Sequence, residues 1–335
     1  MDEEQLDRIA NLPKVELHLH HEGAAPPDFI RQMAAAKGVN LSHIFDAEGR
    51  YKYRDFAHFL QVYEAATSVL KTPEDFAKLT TAVLEQSAEA GVVYSETFLS
   101  PDFCGGGDVG AWREYLHAIR EAATDAEQRL GITLRGVVTC IRHFGPEQAK
   151  HSARCAAETA GDWIVGFGMG GDEGRGKQGD FAYAFDMARE SGLHLTTHAG
   201  EFGGPASVRE AIQDLRVTRI GHGVRAIEDP RLVDNIVDQG ITLEVCPGSN
   251  IRLGLYSTMR HHPIAKLRER GVKVTVSTDD PPFFGTTMKD EYLNLARAFG
   301  WDEAVLNDIA RTSLEAAFCD AATRDRVAKK LEPAA

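Results

Sequence analysis

Eight short runs of apolar and β-branched residues recur along the chain, each parted from the next by a segment with helical periodicity. The runs fall near 15–20, 92–99, 133–141, 163–168, 193–198, 218–221, 241–246 and 272–278. Candidate helices lie between them at 75–90, 111–129, 147–160, 180–191, 205–214, 228–239 and 263–270. Such alternation implies parallel strands, because each helix supplies the crossover that a parallel pair requires. Eight units with no break in composition favour closure into a (β/α)8 TIM barrel over an open doubly wound sheet. The 335 residues accommodate one such domain, read here as 1–335.

The spacing is irregular once. Residues 21–91 far exceed what one crossover helix needs, and they hold helical patterns at 27–37 and 54–70. Long insertions in a barrel gather at the C-terminal face, where active sites lie. Phe56, Phe59, Leu60 and Tyr63 therefore either form an apolar wall or lid over a site, or pack the insertion onto the barrel.

The chemistry-bearing residues sit where those runs end. In the first run Val15, Leu17 and Leu19 share one face by the period of two, and Glu16, His18 and His20 share the other. His18 and His20 would thus point inward at the C-terminal end of a barrel strand. The fifth run ends in His198, followed by Glu201; the sixth is followed by His222 between two glycines; the eighth ends in Asp279-Asp280 before Pro281-Pro282. His18, His20, His198 and Asp279 make an N3O set that suits one zinc ion with a position left for water. Water on such an ion has its pKa lowered from 15.7 to ~7. The fourth run, Trp163 to Gly168, has no lysine to bridge a second metal. Glu201, in a partly dry turn, fits a carboxyl with a raised pKa that donates a proton. His222 fits either a ligand or an acid/base group. Asp279 and Asp280 are neighbours, so strand alternation predicts opposite orientations and different tasks. His194 shares parity with His198 but lies deeper, and Cys246 reads as a buried thiol. Gly166-Phe167-Gly168-Met169-Gly170-Gly171 matches a dinucleotide fingerprint, but the following residues read as loop where that fingerprint needs a helix.

Composition narrows the partners. A net charge of −13 argues against nucleic acid, which requires a basic footprint. No apolar stretch is long enough to span a bilayer. Five scattered cysteines without a Cys-x-x-Cys pair, and an acidic N-terminus without a signal-like apolar segment, lead to the expectation of a cytoplasmic enzyme, monomeric or homo-oligomeric.

Taken in order, 14–23, Gly171-Asp172-Glu173, His198-Ala199-Gly200-Glu201, Gly221-His222-Gly223, Cys246-Pro247-Gly248-Ser249-Asn250 and Thr278-Asp279-Asp280-Pro281 resemble the adenosine/adenine deaminase family over nearly the whole chain. The resemblance implies a one-zinc barrel that hydrolyses the 6-amino group of a purine. It implies that His18, His20, His198 and Asp279 hold the zinc, with His20 also near substrate. It implies that Glu201 protonates N1, that His222 positions or deprotonates the water, that Asp280 bonds N7 and that the Gly171 N–H meets N3. The chain departs from the common pattern at His21, where the family usually has Leu, and parity places His21 outside the metal shell. Glu22 stands where nucleoside deaminases often carry an Asp that meets the ribose 5′-hydroxyl, and Glu there is more like the adenine deaminases. Tyr63-Glu64-Ala65-Ala66 and Gly285-Thr286-Thr287 look nearer to bacterial adenosine deaminases. The resemblance thus puts adenosine and 2′-deoxyadenosine first as substrates. Adenine or another 6-aminopurine nucleoside is the alternative, and a purine-binding barrel without catalysis the third.

Overall fold

In the computed structural model, which describes residues 1–332, eight parallel strands pair in chain order. They are β1 Lys14–His20, β2 Val92–Leu99, β3 Thr133–Ile141, β4 Ile164–Gly170, β5 His194–Ala199, β6 Arg219–His222, β7 Thr242–Val245 and β8 Lys273–Val276. The first and last strands meet through short contacts. The Leu17 and His18 N–H groups donate to Ser277 Oγ, the Asp279 N–H donates to His18 O, and the His20 N–H donates to Asp279 O. The expected (β/α)8 barrel is therefore the fold. Its main apolar core lies between the strands and the surrounding helices, with Trp112, Phe167, Phe185 and Leu243 all buried.

Between β1 and β2 the chain forms helices Pro27–Ala36, Phe56–Thr67 and Pro73–Glu89, with a 3-10 turn at Ser42–Ile44. The last is started by a capping box in which Thr72 and Asp75 satisfy each other's N–H groups. The sequence pattern names no element after residue 278; the structure adds helices Pro281–Phe284, Met288–Phe299, Glu303–Ala316 and Ala321–Ala328. Between the last two, Phe318 turns into the barrel and joins Phe98, Val137 and Val165 in an interior cluster. It stacks on His194 at the start of β5, ring centroids 4.9 Å apart, so His194 belongs to the end away from the ligands. A Cβ at Gly166 would meet Phe318 at 2.8 Å. That is one physical use of the glycine-rich fourth run, which continues into turn and bend at residues 171–177 and not into a helix.

Two expectations from strand alternation fail, for backbone reasons. Glu16 does not join His18 and His20: β1 pairs irregularly with β2 between Glu16 and Leu19, and the Glu16 carboxylate accepts from Thr278 N–H and Oγ1. Asp279 and Asp280 do not diverge, because β8 ends at Val276 and Asp279 has φ 69°. That left-handed residue swings both carboxyls to the same cavity.

Candidate active site

The four N3O residues converge at the C-terminal ends of β1, β5 and β8, with ligand atoms all within 4.8 Å of one another. His18 Nε2 and His20 Nε2 each lie 3.1 Å from His198 Nε2. Asp279 Oδ1 lies 3.4 Å from His18 Nε2 and 3.2 Å from His20 Nε2. Small residues make room for the rings. A Cβ at Gly221 would meet His18 Cε1 at 2.7 Å, and one at Gly170 would meet His20 and His198 at 3.2 and 3.3 Å.

The outer hydrogen bonds fix which ring nitrogens are bare. His198 Nδ1 faces Met169 O at 2.8 Å, so Nδ1 carries the proton and Nε2 a lone pair. His18 Nδ1 faces Glu244 Oε2 at 2.8 Å, which exposes its Nε2 in the same way. Two lone pairs 3.1 Å apart repel unless a cation or an added proton lies between them. Asp279 Oδ1 is buried and finds no hydrogen-bond partner among the described residues. Burial pulls the His18 pKa down, but Asp279 and Glu244 raise it to about 9. This donor set fits one divalent cation, with the His18 and His198 imidazoles each held by an outer partner.

His18, His222, Cys246 and Asp279 form an overlapping group of the same tightness, but proton bookkeeping disfavours it. The Ile264 N–H donates to His262 Nδ1 (3.2 Å), so His262 Nε2 carries a proton, donated to Asn250 Oδ1 at 3.1 Å. Asn250 must then offer Nδ2–H to His222 Nδ1, 3.2 Å away. Neutral His222 is left with its proton on Nε2, where a ligand would need a lone pair. Burial lowers the His222 pKa to about 3 and pushes the Cys246 thiol well up. His222 Nε2 points between Glu201 Oε2 at 3.6 Å and Asp279 Oδ2 at 3.9 Å. Its backbone has φ 59°, so two of the three non-glycine left-handed residues among those described, His222 and Asp279, belong to this site.

Glu201 is buried, and its pKa is driven well above the usual carboxylate range, first by burial and then by the charges of Asp279 and Glu173. Its turn is held by Glu173, whose carboxylate accepts from the N–H groups of Gly200, Glu201, Phe202 and Gly203 at 2.6–3.1 Å. Asp280 is likewise raised, by burial and then by Asp279, Glu201 and Glu22, and its Oδ1 has no partner among the described residues. Asp279 goes the other way: burial raises it, but the His18 and His20 rings beside its Oδ1 hold it well below the usual value.

His20, His198, Glu201, His222, Asp279, Asp280 and Gly171 line one cavity. Phe56, Phe59, Leu60 and Tyr63 of the insertion form its opposite wall with Phe103 and Phe284. Two sequence-derived site residues stay behind that lining: His18, buried beneath the other ligands, and Glu22. Glu22 Oε2 accepts from Tyr63 OH at 3.3 Å, and Tyr63 stands in the wall. Burial raises the Glu22 pKa to about 7. His21 points away, bonded to Thr80 Oγ1 at 2.9 Å. The sequence reading gave no task to Glu173, Glu244, Asn250 or His262. Glu173 and Asn250 lie inside the segments that carry the family resemblance, and Glu244 is a charged residue in an apolar run with the parity of Cys246.

The adenosine deaminase family pattern matches residues 13–334. The chain belongs to the adenosine deaminase family. An adenine deaminase from Agrobacterium fabrum is 45% identical over 323 residues, 96% of this chain and 98% of that protein. A crystal structure of an adenine deaminase from Arthrobacter aurescens aligns with TM-score 0.88 at 29% identity, covering 96% of this chain and 98% of that one. An amidohydrolase from Burkholderia ambifaria, solved with bound Zn, aligns with TM-score 0.87 at 25% identity, covering 99% of this chain and 92% of that one. Like its family, this chain is a metal-dependent hydrolase that removes an amino group from small adenine-type purines. Among the described residues, no helix is long and apolar enough to cross a membrane.

Proposed function

We propose that this enzyme deaminates adenine itself, giving hypoxanthine and ammonia, with zinc held by His18, His20, His198 and Asp279. The observation that carries the choice of base over nucleoside is the sealed Glu22. Neither carboxylate oxygen reaches the cavity: Oε2 accepts from Tyr63 OH in the aromatic wall, and Oε1 is buried outside the lining, so neither meets a sugar hydroxyl there. The polar lining residues on that side, Glu64 and His143, face each other at 3.5 Å. Burying a ribose there would strand its hydroxyls against apolar rings, at a cost for each unmatched polar group. The relatives named adenine deaminase support the same choice over adenosine, the substrate that the sequence placed first.

The roles follow from the protonation states. Bound zinc supplies a nucleophile at neutral pH by lowering the pKa of water. Glu201, holding its proton by burial, delivers it to N1 and makes C6 electrophilic. His222 presents Nε2–H, as its outer bonds dictate, and so stabilises negative charge on the oxygen that adds to C6; it does not abstract the proton. Asp280, also protonated, donates to N7. His20 and the Gly171 backbone complete the edge of the base site, the latter toward N3.

The test is a parallel assay of adenine, adenosine and 2′-deoxyadenosine, followed by the ultraviolet change on deamination. Adenine is expected to exceed both nucleosides in kcat/KM by on the order of 10²-fold or more. Adenosine turning over as fast as adenine would sink the reading.

A further inference from the structure

The barrel interior below the ligands holds a second set of buried charges that the reaction does not touch. Arg219 of β6 lies between two carboxylates: its Nε donates to Glu244 Oε1 and its Nη1 to Glu96 Oε2, each at 2.7 Å. Nη1 also donates to Ala316 O at 3.1 Å, and the guanidinium lies 3.5 Å from the centroid of the Phe318 ring. Glu96 Oε1 accepts from the Phe318 N–H (2.6 Å) and from Tyr94 OH (2.8 Å). Glu244 Oε1 also accepts from Thr196 Oγ1, and its Oε2 takes His18 Nδ1 at 2.8 Å. Glu96, Arg219, Glu244 and His18 are all fully buried.

The charges do not cancel. Two carboxylates face one guanidinium, so this chain of contacts presents one excess negative charge to the back of His18. A cation at the His18 Nε2 side balances it across the imidazole. We infer that Glu96 and Arg219, which touch no ligand atom, are positioning residues for the metal. They hold Glu244 against His18 and supply the charge that favours a cation there, and they tie the metal centre to the Ala316–Phe318 segment plugging the far end. This rests on the metal centre proposed above, but not on which purine is the substrate.

The experiment is metal affinity, measured on the stripped full chain by chelator competition with zinc and with cobalt as a spectroscopic probe. Glu244→Gln, beside the ligand, is expected to weaken binding about 10–100-fold, as for other outer-shell partners. Glu96→Gln, two hydrogen-bonded residues further from the metal, is expected to weaken it about tenfold, because the excess charge is gone and Arg219 draws wholly on Glu244. Melting of the stripped proteins reports folding separately. A structural role alone would lower the melting temperature of Glu96→Gln and leave its metal affinity within about threefold of the parent, and that result overturns the inference. If Glu96→Gln does not fold, Arg219→Lys keeps the charge but loses the two-sided reach, and is held to the same criterion. A parent chain that binds neither metal overturns both this inference and the proposed centre. Intact binding with poor adenine turnover would overturn only the substrate assignment.

Discussion

The two ends of the barrel interior each bury a cluster of charge, and they treat it oppositely. At the far end almost every polar atom of Glu96, Arg219 and Glu244 is paired, Arg219 Nη2 being the exception. At the C-terminal end Asp279 Oδ1, Asp280 Oδ1 and His222 Nε2, all of residues that line the cavity, are buried without hydrogen-bond partners among the described residues. An unpaired buried polar atom costs roughly 1–3 kcal/mol, more if charged, so a fold keeps several together only where something else completes them. The lower cluster is completed by the chain, the upper by what binds. The same contrast separates residues whose loss should abolish chemistry from residues whose loss should destabilise the fold along with the metal centre it supports.

The sharpest way to test the contrast is Glu201→Gln at the upper end. The amide keeps the shape and cannot give up a proton, so kcat is expected to fall on the order of 10²–10⁴-fold with metal content and melting temperature unchanged. The pH dependence gives the sign. A carboxyl with a raised pKa is competent while protonated, so the parent should lose activity as pH rises through that elevated value. The variant's residual activity should lack this alkaline limb. Bound zinc will neutralise Asp279, one cause of the shift, but burial is the larger cause and remains. A variant with near-parental turnover would remove Glu201 from the reaction.

The reverse experiment is Arg219→Leu at the lower end. Removing one partner leaves two buried carboxylates facing each other, and breaking a buried pair typically costs about 3–5 kcal/mol. Urea unfolding of the stripped protein should show that loss. The exposed pair Arg270–Asp234, 2.6 Å apart with both side chains largely in solvent, should contribute about 0–1 kcal/mol when Arg270 is replaced. Equal effects at the two positions would mean that the lower cluster is no more structural than the surface.

How much of this was legible beforehand follows from the range of each interaction. The barrel and the His18/His20 pair could be read because they depend on periods of two and of one βα unit. Asp279 and Asp280 were located, but their shared orientation was not, since it depends on one left-handed φ that residue order does not announce. Glu22 was recognised as the substrate question, but its answer lies with Tyr63, 41 residues on, in a helix whose packing no local pattern specifies. The lower cluster was invisible for the same reason. Glu96, Arg219 and Glu244 are isolated charges in apolar runs, and they acquire meaning only when β2, β6 and β7 close around a common axis and Phe318 returns from the C-terminal segment.

The smallest effect tests the link between the two kinds of region, the relay from the Ile264 N–H through His262 and Asn250 to His222. It is paired by the chain, as most of the lower cluster is, but it ends on an orphaned atom of the upper one. Asn250→Asp preserves size, and its carboxylate can only accept. His222 would then turn its Nδ1 into the donor and its Nε2 into a lone pair aimed at the site. If His222 works as an N–H donor, kcat for adenine should fall about 10–100-fold, the size typical of an outer-shell partner, with KM little changed. Nitrogen chemical shifts of His222 should report the exchanged tautomer directly. Asn250→Ala should lose activity to a similar degree, by leaving the tautomer free. If His222 acts as a base, the outcome inverts: Asn250→Asp supplies the lone pair that a base needs and should hold or raise kcat while Asn250→Ala lowers it. The order of these two variants therefore decides what the orphaned Nε2 is for.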